Sequence, residues 1–190
     1  MNIYIDFDGT LFDTDKFYKE FLNICKSYNV EEAKVFNIRN ESQDLFNLDA
    51  SALKIKDRFN LDDGFINKVN SLYDSKYLYD DVINFLEKYY KKYNLYMLTF
   101  GEANYQIKKI NSTNLNKYFK DIIITTDKGH EDIDYENSWF IDNNPREIEK
   151  IHNAGATKII RIKRKDDSHF SLICNVKVKE YFAFDDIDVL

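Results

Sequence analysis

The feature that most restricts the fold is an alternation of strand-like and helix-like segments. Short apolar runs at 95–99, 122–125, 139–142 and 158–162 each read as a buried strand, and a fifth run at 2–6 opens the chain. Between them, apolar residues fall at helical spacing. Val82, Ile83, Phe85, Leu86, Tyr89 and Tyr90 follow a capping Asp80-Asp81 pair, a helix is predicted at about 103–111, and Pro145 and Gly155 bracket another over 145–154. Strands alternating with helices form a parallel sheet through right-handed crossovers. One block breaks the pattern. Phe17, Phe21, Ile24, Cys25 and Tyr28 share a helical face, further helices are predicted at about 30–38, 51–59 and 63–74, and 14–78 carries no strong strand signal. The expected architecture is therefore α/β: a five-stranded parallel sheet with helix layers, built from 1–13 and 79–190, and a small all-helical insertion over 14–78. Residues 170–190 are expected to add a strand or helix at the edge of the core.

Composition narrows the partners. Apolar residues make up 44% of the 190, with only 5 Gly and 1 Pro, so the chain is mostly regular structure. Its 14 Tyr and 15 Phe are too many for a nucleic-acid stacking surface and belong mostly to the core. A net charge of −6 argues against a general grip on nucleic acid or an anionic membrane. It leaves room for a small anionic substrate held by local donors and a metal. The basic stretch Arg161, Lys163, Arg164 and Lys165 is expected as a solvated strand end and loop. Cys25 and Cys174 lack metal-ligand spacing and read as buried thiols in a reducing compartment. The first apolar run stops at Asp6 and has no basic flank, so it does not read as a signal peptide, and no run approaches the ~20 residues of a membrane span. A cytoplasmic location is expected.

In an open parallel sheet, ligands collect at the carboxyl ends of the strands. There this chain places Asp6-Phe7-Asp8-Gly9-Thr10, Thr99-Phe100-Gly101, Lys128 and Asp142-Asn143. Two or three carboxylates, a hydroxyl and an ammonium group suit metal-assisted attack on phosphorus. Mg²⁺ binds through one or two carboxylates together with waters and substrate oxygens. A carboxylate attacks a phosphate dianion only where charge is neutralised, which a metal and a lysine do.

Asp6 to Asp13, reading DFDGTLFD behind an N-terminal strand, resembles motif I of the haloacid dehalogenase (HAD) phosphohydrolases. Leu98-Thr99-Phe100-Gly101 is similar to their motif II, and Phe140-Ile141-Asp142-Asn143-Asn144-Pro145 to motif IV. The resemblance implies a three-layer Rossmann-like core with a C1-type helical cap at 14–78. It further implies that Asp6 attacks phosphorus to form an aspartyl-phosphate, and that Asp8 protonates the leaving oxygen and then activates water. Thr99, Phe100, Gly101 and Lys128 would hold the phosphoryl group, and Mg²⁺ would be bound by Asp6, Asp8 through its backbone carbonyl, and Asp142. Two features depart from the pattern. Asn143 and Asn144 stand where many relatives have a second acid, and Lys128 lies so close before Asp142 that the usual helix between them is short or missing. Lys108 and Lys109 are rivals for the lysine role.

The expected function is a magnesium-dependent phosphatase acting on a small phosphorylated metabolite, without nucleic-acid or membrane partners. A phosphomutase, a scaffold that binds a phosphorylated ligand or protein without turnover, and an acyl-handling relative are the alternatives. Asp13 and Asp15 are expected as helix caps, the stripe Phe17, Phe21 and Tyr28 as core of the helical block, and His130, His152 and His169 as surface residues.

Overall fold

The computed structural model describes residues 1–41 and 45–188; positions 42–44, within the block expected at 14–78, and 189–190, at the end of the C-terminal stretch, lie outside them. The apolar runs become β1 (Asn2–Ile5), β2 (Asn94–Phe100), β3 (Asp121–Thr125), β4 (Trp139–Asp142) and β5 (Lys158–Ile162). They pair in parallel in the order β3-β2-β1-β4-β5, and a short β6 (Lys179–Tyr181) extends the sheet beyond β5. The sheet is thus six-stranded, not five. Lys179-Glu180-Tyr181 lacks an apolar run because it sits on a half-solvated edge, so only its pairing reveals it.

The order reverses between β1 and β4. The chain builds outward from β1 through β2 to β3, then returns to the other side of β1, which opens a crevice at the carboxyl ends of β1 and β4. The register is tight there: Ile5 pairs with both Met97 and Ile141, and the Asp6 N–H donates to the Ile141 carbonyl at 2.9 Å.

Two apolar layers follow from the period-two alternation of the strands. Ile3, Ile5, Leu95, Met97, Ile141, Ile160 and Ile162 face one layer, and Tyr4, Leu98, Phe140 and Ile159 face the other. α5 (Val82–Tyr89) and α6 (Ala103–Thr113) pack on the first; α7 (Pro145–Asn153) packs on the second through Ile148 and Ile151. α7 is started by Pro145 and by the Asn144 side chain, which accepts from the Arg146 N–H, and it stops before Gly155, whose φ of +108° suits glycine. No helix stands between β3 and β4, where turns alone span 126–138.

Between β1 and β2 run α1 (Thr14–Ser27), α2 (Glu32–Asn40), α3 (Leu48–Arg58) and α4 (Asp63–Asn70). Their apolar faces, including Phe17, Phe21, Cys25, Ile38, Ile55 and Phe65, continue the first layer without a break. Phe12 is the joint: its ring lies 5.0 Å from Phe7, 5.4 Å from Phe17 and 5.5 Å from Tyr77. Asp13 caps α1 by accepting from the Lys16 N–H, whereas Asp15 accepts instead from the Ser168 N–H across the molecule. Asp81 precedes α5 without capping it; its carboxylate takes Arg164 and the Phe184 N–H. Among the described residues no helix is long and apolar enough to cross a membrane.

Cys25 is buried, and that burial pushes its thiol up to about 12, while Cys174 is half-buried. A thiol reagent at pH 8 is therefore expected to modify Cys174 first and Cys25 only as the chain unfolds, read as two separated phases with and without urea.

Candidate active site

The site is built from strand ends outward. β1 delivers Asp6, and the tight turn after it delivers Asp8; Gly9 takes a φ of +73° there, a conformation that favours glycine. β4 ends in Asp142, whose Oδ1 accepts from the Asn144 N–H at 2.8 Å. Between these two strand ends lies Lys128. Its ammonium donates to Asp6 Oδ1 at 2.6 Å and to Asp142 Oδ2 at 2.7 Å, and its side chain is 2% exposed. The helix-free segment makes this possible, because the Tyr135 hydroxyl donates to the Lys128 carbonyl at 2.7 Å and holds the turn against the sheet. The second oxygen of Asp6 accepts from the Thr10 hydroxyl at 3.0 Å.

Asp8 is held apart from that pair. Its carboxylate binds the Lys109 ammonium at 2.5 and 2.7 Å, the Gln106 amide at 2.7 Å and the Thr14 hydroxyl at 2.7 Å. Asp6 and Asp142 thus share Lys128, while the Asp8 side chain turns to Lys109 and Gln106 of α6. Lys108 pairs with Asp49 and Asn70, so of the three lysines weighed from sequence Lys128 reaches Asp6 and Asp142, and Lys109 reaches Asp8.

Electrostatics separate the two motif I carboxylates. Burial raises Asp6, Asp142 adds to the rise, and Lys128 opposes it, leaving Asp6 above the usual carboxylate range. Burial also pushes on Asp8, but there the Lys109 ammonium, with hydrogen bonds from Lys109, Thr14 and Gln106, outweighs it and holds the carboxyl low. Lys128 itself is raised: burial works against its charge, and Asp142 and Asp6 more than offset that.

Asp6, Asp8, Phe100, Gly101, Lys128 and Asp142 line one cavity of about 310 Å³. Thr99 does not line it; its hydroxyl is buried at the end of β2 without a hydrogen-bond partner among the described residues. Three further buried polar atoms lack partners among those residues, the Tyr105 hydroxyl, Gln106 Oε1 and Glu147 Oε2, and all three residues line the cavity. Buried polar groups are normally paired, so orphans concentrated around one cleft mark a place for a polar ligand. Arg39 and Phe46 reach the cavity from the helical block, with the Arg39 guanidinium 4.4 Å from the Phe46 ring centre.

The donor set suits Mg²⁺. Two buried carboxylates that share one ammonium supply hard oxygens within a short span. Among the described residues no group of three Asp, Glu, His or Cys side chains forms a closed metal cage. The fit therefore rests on Asp6 and Asp142 alone, within the one or two carboxylates through which Mg²⁺ binds.

Several contributors escaped the sequence. Gln106 was one, although it stands three residues before the rival Lys109 and so shares its face of α6, a signal that was available. Asp167 and His169 carried none. His169, expected at the surface, is half-buried and lines the cavity. Arg161 and Arg164, expected in solvent, are buried, because each binds backbone carbonyls beside the site.

No family model matches the sequence, and no curated protein matches it. Solved structures match in fold. A protein of Burkholderia xenovorans LB400 assigned as a haloacid dehalogenase-like hydrolase superposes with a TM-score of 0.78 at 14% identity, covering 97% of this chain and 93% of that one. YfnB of Bacillus subtilis, assigned as a HAD hydrolase and bound to magnesium, gives 0.64 at 16% identity, with 97% and 95% covered. A HAD phosphatase of Thermococcus onnurineus gives 0.63 at 16%, with 97% and 94% covered. The chain has the HAD-like fold.

The His169 imidazole carries a pH signature. Its hydrogen bond to Asp167 raises its pKa against the effect of burial, with Asp167, Asp142 and Asp15 as the acidic groups acting on it. A raised imidazole pKa adds stability that is complete below about 6.5 and fades as pH climbs through the raised value. His169→Gln is therefore expected to be less stable than the parent at pH 6, with the gap closing by pH 8.5 in urea titrations at low salt. A gap independent of pH speaks against the ion pair.

Proposed function

We propose that the chain is a magnesium-dependent phosphomonoester hydrolase that acts on a small phosphorylated metabolite through Asp6. The observation that carries this reading is the Lys128 ammonium between Asp6 and Asp142 at the crevice of a HAD-like sheet. In this reading Asp6 places a carboxylate oxygen on phosphorus and expels the ester oxygen, giving an aspartyl-phosphate. Thr10 on one Asp6 oxygen and Lys128 on the other fix the carboxylate's direction. Asp6, Asp142 and the Asp8 backbone carbonyl would hold Mg²⁺, which would supply the positive charge that lets an anion approach an anion. Asp8 takes the acid–base role. Its proton would go to the departing ester oxygen, and the ionised form, which Lys109 favours, would then accept one from the water hydrolysing the aspartyl-phosphate. The backbone at Phe100 and Gly101, which line the cavity, receives the phosphoryl oxygens.

Helices α1–α4 act here as a cap that excludes water and favours a small substrate. A second cavity of about 710 Å³ shares Arg39 and Phe46 with the first and gives the leaving group room. The hold of Lys109, Gln106 and Thr14 on Asp8 favours one rival, a scaffold that binds phosphate esters without turning them over.

Hydrolysis of p-nitrophenyl phosphate separates the two. Turnover is expected in Mg²⁺, lost with EDTA, and reduced about a thousandfold or more in Asp6→Asn. Phosphate-ester binding by calorimetry with no turnover supports the rival and removes the hydrolase reading.

A further inference from the structure

The loop after β5 enters the site from outside the three motifs, and two buried arginines pin it there. Arg161 donates to the His169 carbonyl at 2.8 Å and to the Asn143 carbonyl at 3.4 Å. Arg164 donates to the Thr10 carbonyl at 3.1 and 3.3 Å and grips Asp81 with both terminal nitrogens, at 2.7 and 2.8 Å. So placed, the loop presses Asp167, whose side chain is 5% exposed, against the turn after β1. A Cβ on Gly9 would come within 2.3 Å of Asp167 Oδ2 and 2.1 Å of Asn143 Nδ2, so that turn has no room for a side chain.

A run of polar contacts, forked at the single Thr10 proton, leads from this loop to Asp6. Asn143 Nδ2 donates to Asp167 Oδ2 at 3.0 Å, and the Thr10 hydroxyl directs its one proton mainly at Asp6 Oδ2, 3.0 Å away, with Asn143 Oδ1 a second acceptor at 3.4 Å. The orientation of the amide is forced. A carboxylate only accepts, so Asn143 must turn its NH₂ to Asp167 and its oxygen to Thr10. The other Asp167 oxygen is taken as well, by the His169 N–H at 2.6 Å and the imidazole Nδ1 at 3.2 Å.

We propose that Asp167 is a positioning residue for Asp6, acting through Asn143 and Thr10; this rests on the reading of Asp6 as the nucleophile. The geometry dictates which exchanges the chain tolerates. Asp167→Asn replaces one of two required acceptors with a donor, so it faces either the Asn143 NH₂ or the His169 N–H donor to donor. Asn143→Asp sets two buried carboxylates against each other. Made together, the two exchanges satisfy every partner. The amide at 167 donates to the carboxylate at 143 and accepts from the His169 N–H, and the carboxylate at 143 still accepts from Thr10.

The test is a double-mutant cycle on the full chain, reading p-nitrophenyl phosphate turnover in Mg²⁺, Mg²⁺ binding by calorimetry, and the folded fraction by circular dichroism. Each single exchange is expected to lower kcat about tenfold with little change in KM, Asp167→Asn to weaken Mg²⁺ binding severalfold, and N143D/D167N to recover most of both. Thr10→Val, which cuts the chain at its Asp6 end, is expected to lower kcat by a similar factor, with no further loss when D167N is added. Singles that match the parent in kcat, or a double exchange no better than the worse single, overturn the proposal. Should the singles not fold, N143D/D167N matching the parent while T10V in that background loses about tenfold supports it, and any other result overturns it. A parent chain that binds Mg²⁺ but does not turn over, with binding that falls and recovers through the cycle, sinks the hydrolase reading and leaves the positioning role standing. A parent that does neither sinks both.

Discussion

A single buried ammonium organises the crevice. Asp6 and Asp142 end neighbouring parallel strands, where burial and the nearby Asp142 both penalise the charge on Asp6. Lys128, almost fully buried, lies within hydrogen-bond distance of both and makes their coexistence possible. Taking three charges out of water is costly, and the arrangement holds because every partner is also a hydrogen-bond partner; removing one member of such a buried set costs about 3–5 kcal/mol. The position of Lys128 depends in turn on a segment without a helix. There Tyr135 stacks on Phe140 at 5.6 Å and binds the Lys128 carbonyl, so the turn is fastened to the sheet by a ring and a hydroxyl.

A second lysine divides the labour of motif I. Asp6 and Asp8 stand two residues apart, yet Asp6 shares its ammonium with Asp142 while Asp8 has Lys109 to itself. The first carboxyl is pushed up and the second held down. The division is made by α6 and by the turn after β3, elements far from motif I in sequence.

The loop after β5 shows how a basic stretch is misread when its partners are distant. Arg161, Lys163, Arg164 and Lys165 look like a solvated strand end, yet Arg161 and Arg164 are buried against carbonyls of Asn143, His169 and Thr10. Guanidinium groups suit this role because one fork can meet a carboxylate and a carbonyl together, as Arg164 does with Asp81 and Thr10. Asp15 and Asp81 are drawn into the same fastening, which is why neither serves its nearby helix as a cap.

Local patterns in the sequence determined the βα alternation, the helical block after the first strand, and the arrival of Asp6, Asp8 and Asp142 at strand ends. Each of these follows from the spacing of neighbouring residues, because strand period, helix period and turn chemistry act over a few positions. Only the tertiary structure decided that Lys128 belongs to Asp6 and Asp142, that Lys109 belongs to Asp8, that polar 179–181 pairs as an edge strand, and that Asp167 and His169 stand in the cleft. Those contacts join residues up to about 150 positions apart, and the side chains concerned are polar groups with no periodic signature. Their burial becomes favourable only when the distant partner that satisfies them is already in place.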